Sequence, residues 1–520
     1  MRLRLELAVL LAAGWALPAA AAVDPEPLYQ EHCAQCHGAG RLGAIGPALL
    51  PENLRRLKPK RAVVVIAKGR PASQMPGFAD RLSAEQIDAL ANFIHRPLAE
   101  VPRWREAEIA ASRTVDEEAL ALPDRPIHGA DPLNLFVVVE SGDHHVTILD
   151  GDRFEPIHRF ASRFALHGGP KFSPDGRFVY FGSRDGWVSK FDLHNLRMVA
   201  EVRAGINLRN IAISADGRWL AAANYLPHTL VLLDATDLSL ARLMDVRDAR
   251  GDVSSRVSAV YQARPRNSFV AALKDVPEIW EIATDPDAPP VYTGMVHSHE
   301  KGMVEGVPSS QGLFALRRIA LEEPLDDFFF DPEYRNLIGS SRDGGRGVVV
   351  NLNVGRPIRG IELPGLPHLG SGISWSWQGR PVMATPHLKD ARISVIDLED
   401  WSVVKTIETK GPGFFMRSHE NTPYAWVDVF FGPNRDVLHV IDKRSLEIVR
   451  TLRPEPGKTA AHVEFTRDGR FALVSLWEMD GAVIVYDAAT FVEVKRLPMV
   501  KPSGKYNVHN KITFSSGTSH

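Results

Sequence analysis

From about residue 129 to the C-terminus the chain repeats one loose pattern, and nothing else in the sequence restricts its fold so strongly. Phe172-Ser173-Pro174-Asp175-Gly176-Arg177 precedes strand-like FVYFGS, then WVSKFDL, then MVAEVRA. Ile213-Ser214-Ala215-Asp216-Gly217-Arg218 precedes WLAAAN, LVLLDA and ARLMDV, and Phe465-Thr466-Arg467-Asp468-Gly469-Arg470 precedes FALVSL, AVIVYDAAT and VEVKRL. Weaker copies start near Leu135, Ser268, Tyr334, Pro381 and Tyr424. Each copy holds short alternating apolar runs broken by Asp-Gly or Asn-type turns, and each contains a strand ending in Asp, a turn and another strand. About eight such units of four strands predict an all-β eight-bladed propeller over 129–520, whose radial repetition leaves only short, protected sheet edges. Seven blades is the main rival count. Asn507 to Phe514 is expected to supply a strand that closes the ring.

A second signal lies upstream. Cys33-Ala34-Gln35-Cys36-His37 has the C-x-x-C-H spacing of covalent haem c attachment, with two thiols for thioether bonds and His37 as one axial ligand. Cys33 and Cys36 are the only cysteines among 520 residues, so no four-thiolate zinc site or disulfide framework can be built. A zinc half-site and a C-x-x-C redox pair are the alternatives. Glu26 to His32 reads as a short helix, and Gly43 to Pro51 as a loop packing on the haem edge. Met75, in QMPGF, is the candidate second axial ligand, because a soft thioether raises the potential of haem iron. A packing Met, with His32 or His95 as ligand or an open site, is the alternative. Ser83-Ala84-Glu85-Gln86 has the form of a capping box, and Ile87, Leu90, Ala91 and Ile94 follow at helical spacing. Residues 23–100 thus resemble a small all-α class I cytochrome c, one haem c on an electron-transfer domain.

Residues 1–22 read as a signal peptide, with Arg2 and Arg4 before an apolar Leu7–Leu17 run and a small-residue Ala20-Ala21-Ala22 site. The run is short for a membrane span, so the mature protein is expected to be soluble and periplasmic. Residues 101–128 read as a linker, with a short helix near Trp104 to Ala111. A formal net charge of −2 gives no argument for nucleic acid or an anionic membrane as partner.

Several polar residues stand just before blade strands, where side chains point to the channel mouth: His167, His368, His387, His419 and His462. Singly, each is more often a satisfied structural histidine than a ligand; several at equivalent positions argue for a metal or cofactor pocket. Arg184, Arg209 and Arg342 lie in or near blade turns. A ring of arginines would suit a polyanionic ligand, since guanidinium grips carboxylates bidentately.

A cytochrome c domain joined to this propeller resembles the cytochrome cd1 family over nearly the whole mature chain. FALHGGPKFSPDGRFVYFGSRDG, GINLRNIAIS, PHLGSGISW, ATPHLKDARISVIDL, AHVEFTRDGRFALVSLW and KPSGKYNVHN carry the likeness. The resemblance implies non-covalent haem d1, a carboxylate-rich tetrapyrrole, in the propeller. It places His167 at the proximal iron ligand, Arg184 and Arg209 near arginines that hold the carboxylates, Arg342 less closely, and His368 in the same pocket. AALKDVPEIW and EEPLDDFFFD lack the distal histidines that protonate nitrite in the reductases, and no N-terminal arm supplies a Tyr. The chain is therefore closest to the branch that acts in haem d1 assembly, the dihydro-haem d1 dehydrogenases. These oxidoreductases convert a propionate of the precursor to acrylate in the last step. On this resemblance His462 is a candidate d1-iron ligand. Tyr506 is the candidate base, with Lys505 or an Arg lowering its pKa, and His509 is a weaker alternative base. Electrons would pass to haem c, then to a soluble periplasmic cytochrome or cupredoxin, and a cytochrome cd1 nitrite reductase would receive the product. A nitrite reductase with altered proton donors and a non-catalytic haem d1 carrier are the alternative readings.

Overall fold

Eight antiparallel sheets follow one another around a central channel. The computed structural model describes residues 23–44, 46–55, 57–69, 75–100, 102–292, 309–340 and 345–517. Segment 1–22, expected as a signal peptide, and Arg342 lie outside the described residues. The first blade takes Leu135–Glu140, His145–Asp150 and Glu155–Ala161 from one end of the repeat and Pro502–Asn507 from the other. The innermost strands of the next seven are Lys171–Phe172, Asn207–Ile213, Val257–Ala263, Asp327–Phe330, Ile373–Trp377, Met416–Ser418 and Ala460–Phe465.

The repeated tetrapeptides have one structural meaning. Ser173 Oγ accepts from the Phe178 amide at 2.9 Å, and Asp175 Oδ1 accepts from the Arg177 amide at 3.1 Å. Ser214 and Thr466 do the same for Trp219 and Phe471, at 2.9 and 3.1 Å. Gly176, Gly217 and Gly469 all sit at positive φ (79°, 74° and 74°), the region glycine enters at least cost. This is the turn between the first and second strands of a blade. The Asp that ends a third strand makes the next turn: Asp192, Asp397, Asp442 and Asp487 accept backbone N–H bonds from residues two or three further on. Between the sheets lies the core, for example the Phe160 and Phe191 rings stacked 4.1 Å apart across the first two blades.

The ring closes earlier than expected. Pro502–Asn507 pairs antiparallel with Leu135–Glu140, setting Val137 opposite Tyr506 and Val138 opposite Lys505. Val508–Thr513, expected as part of that strand, is a helix, because the Asn507 side chain caps it by accepting from the Asn510 amide.

The N-terminal domain is a cluster of short helices, Pro25–His32, Ala34–His37, Pro59–Lys68 and Ala84–Phe93. The last carries the expected capping box of Ser83 and Gln86. Tyr29, Ala62, Phe78, Ile87 and Leu90 lie in its buried core. Segment 101–128, expected as a linker, is itself built into the second blade. Its helix Glu106–Ser112 buries Ile109, and Thr114–Val115 adds a fifth strand beside Arg197–Arg203. Arg203 ties the two domains together. Its guanidinium donates to the Leu42 and Asp185 carbonyls and lies 4.7 Å from the Trp104 ring, while Trp104 Nε1 donates to the Arg203 carbonyl at 2.8 Å. Among the described residues no helix is long and apolar enough to cross a membrane.

Candidate active site

One cavity of about 1820 Å³ runs from the N-terminal domain into the propeller mouth. It exceeds the roughly 300–1,000 Å³ of a pocket for one drug-sized ligand. At one end it is lined by Cys33, Cys36, His37 and Met75. Neither cysteine is in a disulfide. His37 Nδ1 lies 2.8 Å from the Pro47 carbonyl, which fixes the ring proton there and leaves the Nε2 lone pair for a metal. Gly46 is pressed on the same ring, where a Cβ would come within 2.8 Å of Cε1. Burial pushes the His37 pKa down, so the ring is neutral near pH 7. Both nitrogens of His95 face carbonyls, Ala91 at 2.7 Å and Leu57 at 2.8 Å, and His95 does not line the cavity. Two thiols, one oriented imidazole and a thioether on one cavity wall are a donor set that fits haem c.

The other end is lined by His167, Arg184, Arg209, His368, Arg417, His462 and Tyr506. His167 enters on a Gly168-Gly169 pair at φ 81° and 70°. A Cβ on Gly168 would meet Asn210 Cβ at 2.6 Å, and one on Gly169 would meet the Tyr506 ring at 3.2 Å. His167 Nδ1 lies 2.7 Å from the Arg209 carbonyl, so Nε2 carries the lone pair, and Arg184 Nη2 donates to it at 2.8 Å. His368 is held the same way, Nδ1 at 2.7 Å from the Phe414 carbonyl with its ring against Phe414. Burial holds its pKa down too.

His462 differs. It sits at φ 52° in a bulge, where the pairing of Ala460–Phe465 with Phe471–Leu476 slips between Ala461 and Glu464. Such a bulge re-aims a side chain, here into the cavity. Its Nδ1 lies 3.5 Å from the Lys505 amide, a long contact. Nε2 is buried with no hydrogen-bond partner among the described residues. Burial, then Lys505 and Arg417, hold its pKa well below the usual value.

Tyr506 packs edge-on to His462, ring centroids 4.9 Å apart. Strand alternation turns Lys505 the other way, where its ammonium donates to Ser475 Oγ at 2.9 Å and to the His462 carbonyl. Of the two expected cations, Lys505 or an arginine, Lys505 is therefore not the one beside the Tyr506 phenol. Arg417 takes that place: it opposes the effect of burial, which nevertheless pushes the Tyr506 pKa up to about 12. Lys511 Nζ lies 5.7 Å from the Tyr506 ring centre.

Sequence reasoning missed Arg417. It is 4% exposed, and its Nε has no hydrogen-bond partner among the described residues. It stands in MRSHEN, in a repeat copy too weak to flag it. Also missed were Tyr261, which donates to Asp327 at 2.8 Å, and Lys274, which pairs with Asp326. The two aspartates fall in EEPLDDFFFD, where the distal histidine is absent. His387, His419 and His509 do not line the cavity. Both nitrogens of His387 are bonded inside its blade, to the Pro364 carbonyl and Ser394.

The Cytochrome D1 heme domain model matches residues 130–301 and 307–511. A model for subunit III of cbb3-type cytochrome c oxidase matches 20–94. A protein of Pseudomonas aeruginosa named dihydro-heme d1 dehydrogenase is 56% identical over 505 residues, 97% of each chain. The chain belongs to the dihydro-heme d1 dehydrogenase family. A solved structure of dihydro-heme d1 dehydrogenase NirN in complex with DHE matches with a TM-score of 0.87 at 57% identity, covering 94% of this chain and 99% of that one. A nitrite reductase of Stutzerimonas stutzeri is 25% identical over 97% of this chain and 96% of its own. The dehydrogenase family thus shares architecture with the reductases, at less than half the identity.

Proposed function

We propose that this chain oxidises dihydro-haem d1 to haem d1, turning one propionate into an acrylate and passing the electrons to its own haem c. The observation that supports this reading above others is the single cavity, with a haem c donor set at one end and a cationic, histidine-lined pocket at the other. A carrier has no need of the first end, and a nitrite reductase needs distal proton donors that the second end does not repeat. The reading places the reaction in the periplasm, with a soluble cytochrome or cupredoxin as acceptor and a cytochrome cd1 nitrite reductase as recipient of the product.

Arg184 and Arg209 grip substrate carboxylates, and charge-assisted pairing fixes the macrocycle in one orientation. His167 and His368, each with its proton held on Nδ1 by a carbonyl, present Nε2 to the substrate iron. His462, expected as an iron ligand, turns an unpartnered Nε2 into the same pocket, where it is placed to meet the substrate iron or a substrate oxygen. Desaturation of –CH₂–CH₂– to –CH=CH– releases two electrons and two protons. Haem c, attached at Cys33 and Cys36 and ligated by His37 and Met75, supplies a one-electron acceptor when bound. Tyr506 accepts the substrate proton as phenolate. Burial disfavours that state, and the buried Arg417 guanidinium stabilises it.

Anaerobic incubation of the holoprotein with dihydro-haem d1, haem c kept oxidised, tests this. A loss of two mass units from the extracted tetrapyrrole, with haem c reduction, is expected. Tight binding without mass change would leave a carrier.

A further inference from the structure

Between Asn53 and Ala79 the chain has seven Lys and Arg residues and no Asp or Glu, in a protein of net charge −2. Arg56 and Arg70 of these lie outside the described residues; Arg55, Lys58, Lys60, Arg61 and Lys68 are exposed, as is Arg81 just beyond. Arg55, Arg61 and Arg81 stand on the cavity wall that also carries Cys33, Cys36, His37 and Met75. Within helix Pro59–Lys68, Lys60, Val64 and Lys68 recur every fourth residue and share one outward face. Val64, between the two lysines, is 48% exposed. Glu31, Glu52 and Asp80 are exposed nearby, the first two on the same cavity wall, so the haem c end of the cavity opens beside a surface in which cations outnumber acids, with an apolar spot at its centre.

Among the described residues Lys58, Lys60, Arg61 and Lys68 make no ion pair, whereas propeller arginines such as Arg177, Arg266 and Arg496 are paired with carboxylates. The reaction proposed above releases two electrons per substrate, and the single C-x-x-C-H site attaches one haem. An external acceptor must therefore be met within every turnover and must leave again quickly. A small interface steered by opposite charge meets both demands, because long-range attraction raises the encounter rate without tight packing.

We propose that the face formed by Lys58, Lys60, Val64 and Lys68, with Arg55, Arg61 and Arg81, docks an acidic one-electron carrier protein. This rests on the dehydrogenase reading. Two carrier molecules are each reduced by one electron for every propionate desaturated, and the two protons go to solvent.

The test uses the oxidised holoprotein and oxidised plastocyanin, an acidic one-electron carrier, so that binding is read by titration without turnover. Affinity is expected to fall about tenfold or more between roughly 20 and 200 mM ionic strength. It should be lost in the triple variant Lys58→Glu, Lys60→Glu, Lys68→Glu. Stopped-flow oxidation of dithionite-reduced haem c gives a second readout: ferricyanide should be slowed by the variant and the tripositive tris(phenanthroline)cobalt(III) ion accelerated. Unchanged binding and unchanged salt dependence in the variant would overturn the proposal. So would a variant that binds plastocyanin normally but captures dihydro-haem d1 more slowly, because the surface would then steer the polyanionic substrate. Neither readout needs the tetrapyrrole. If dihydro-haem d1 fails to reduce haem c, the dehydrogenase reading falls while the docking result stands.

Discussion

Arg209 holds His167 from two sides: its carbonyl sits 2.7 Å from Nδ1, and its own guanidinium reaches Nε2 at 3.3 Å. The carbonyl sets the tautomer, and the guanidinium rests where a metal would draw on the lone pair. If His167 ligates the substrate iron as proposed, that guanidinium and the one of Arg184 must leave Nε2, which frees both for substrate carboxylates. Ligation and carboxylate capture are then one coupled event. Substitution Arg209→Met should weaken dihydro-haem d1 binding by 10-fold or more, on the order of 1.5–3 kcal/mol for a lost charge-assisted bond. His167→Ala should abolish the iron–imidazole absorption signature while leaving haem c unchanged. Equilibrium titration of the tetrapyrrole checks both.

Gly168 permits this arrangement. At φ 81° an alanine is strained, and its Cβ would strike Asn210 at 2.6 Å. Gly168→Ala should cost about 1–3 kcal/mol of local strain and reduce tetrapyrrole affinity more than it lowers the melting temperature.

The proton acceptor should show itself in a pH profile. With its pKa pushed up to about 12, Tyr506 is almost wholly protonated at neutral pH, and its phenolate fraction grows tenfold per pH unit. Single-turnover desaturation should therefore accelerate with pH from about 7 to 9 with a slope near one on logarithmic axes. Tyr506→Phe should be slower by about 10²-fold or more with little change in binding. Arg417→Met should raise the phenol pKa further and slow the rate by a similar factor across pH 7 to 9, since both phenols titrate above that range. A flat profile retained in Tyr506→Phe would transfer the base role to another group.

Met75 has its own signature. Replacing a thioether ligand removes what raises the haem potential, so Met75→Ala should shift the haem c midpoint downward in a redox titration. Capture of the tetrapyrrole should be unaffected.

Away from the site, His439 gives a stability prediction. It is 2% exposed, and its Nε2 accepts from the Lys410 amide at 3.1 Å. Burial, then Lys410, lowers its pKa to about 4. A folded pKa below the unfolded value of about 6.5 means that the unfolded chain binds more protons in between, so stability falls as pH falls from 6.5 to 4. The loss amounts to roughly 2–3 kcal/mol. Thermal unfolding across that range should show it, and His439→Gln should flatten the slope.

The repeat was legible because its turns need particular chemistry. Ser-x-Asp-Gly and strand-ending Asp occur where a backbone amide must be satisfied and φ turned positive, so about eight blades could be read, three from full turns and five from weaker copies, with seven as the rival count. Cys33, Cys36 and His37 were legible because covalent attachment dictates spacing. The bulge at His462 was not, since a histidine at φ 52° leaves no mark on the sequence. Arg417 was hidden because its importance comes from burial against Tyr506, which only closure of the ring creates. Segment 101–128 looked like a tether because elements of two to seven residues are too short to show a period.

That closure also orders events in time. The strand Pro502–Asn507 that completes the first blade carries Tyr506, the wall against which His462 and Gly169 pack. Synthesis runs from the N-terminus, so the C-x-x-C-H segment emerges well before the strand Pro502–Asn507 that finishes the second pocket. A chain cut short before residue 502 still carries its cysteines, but it lacks both the latch of the ring and the phenol. An unfinished molecule can thus acquire the means to carry electrons and never the means to draw them from a substrate, which spares a reactive tetrapyrrole from being caught in a half-built vessel.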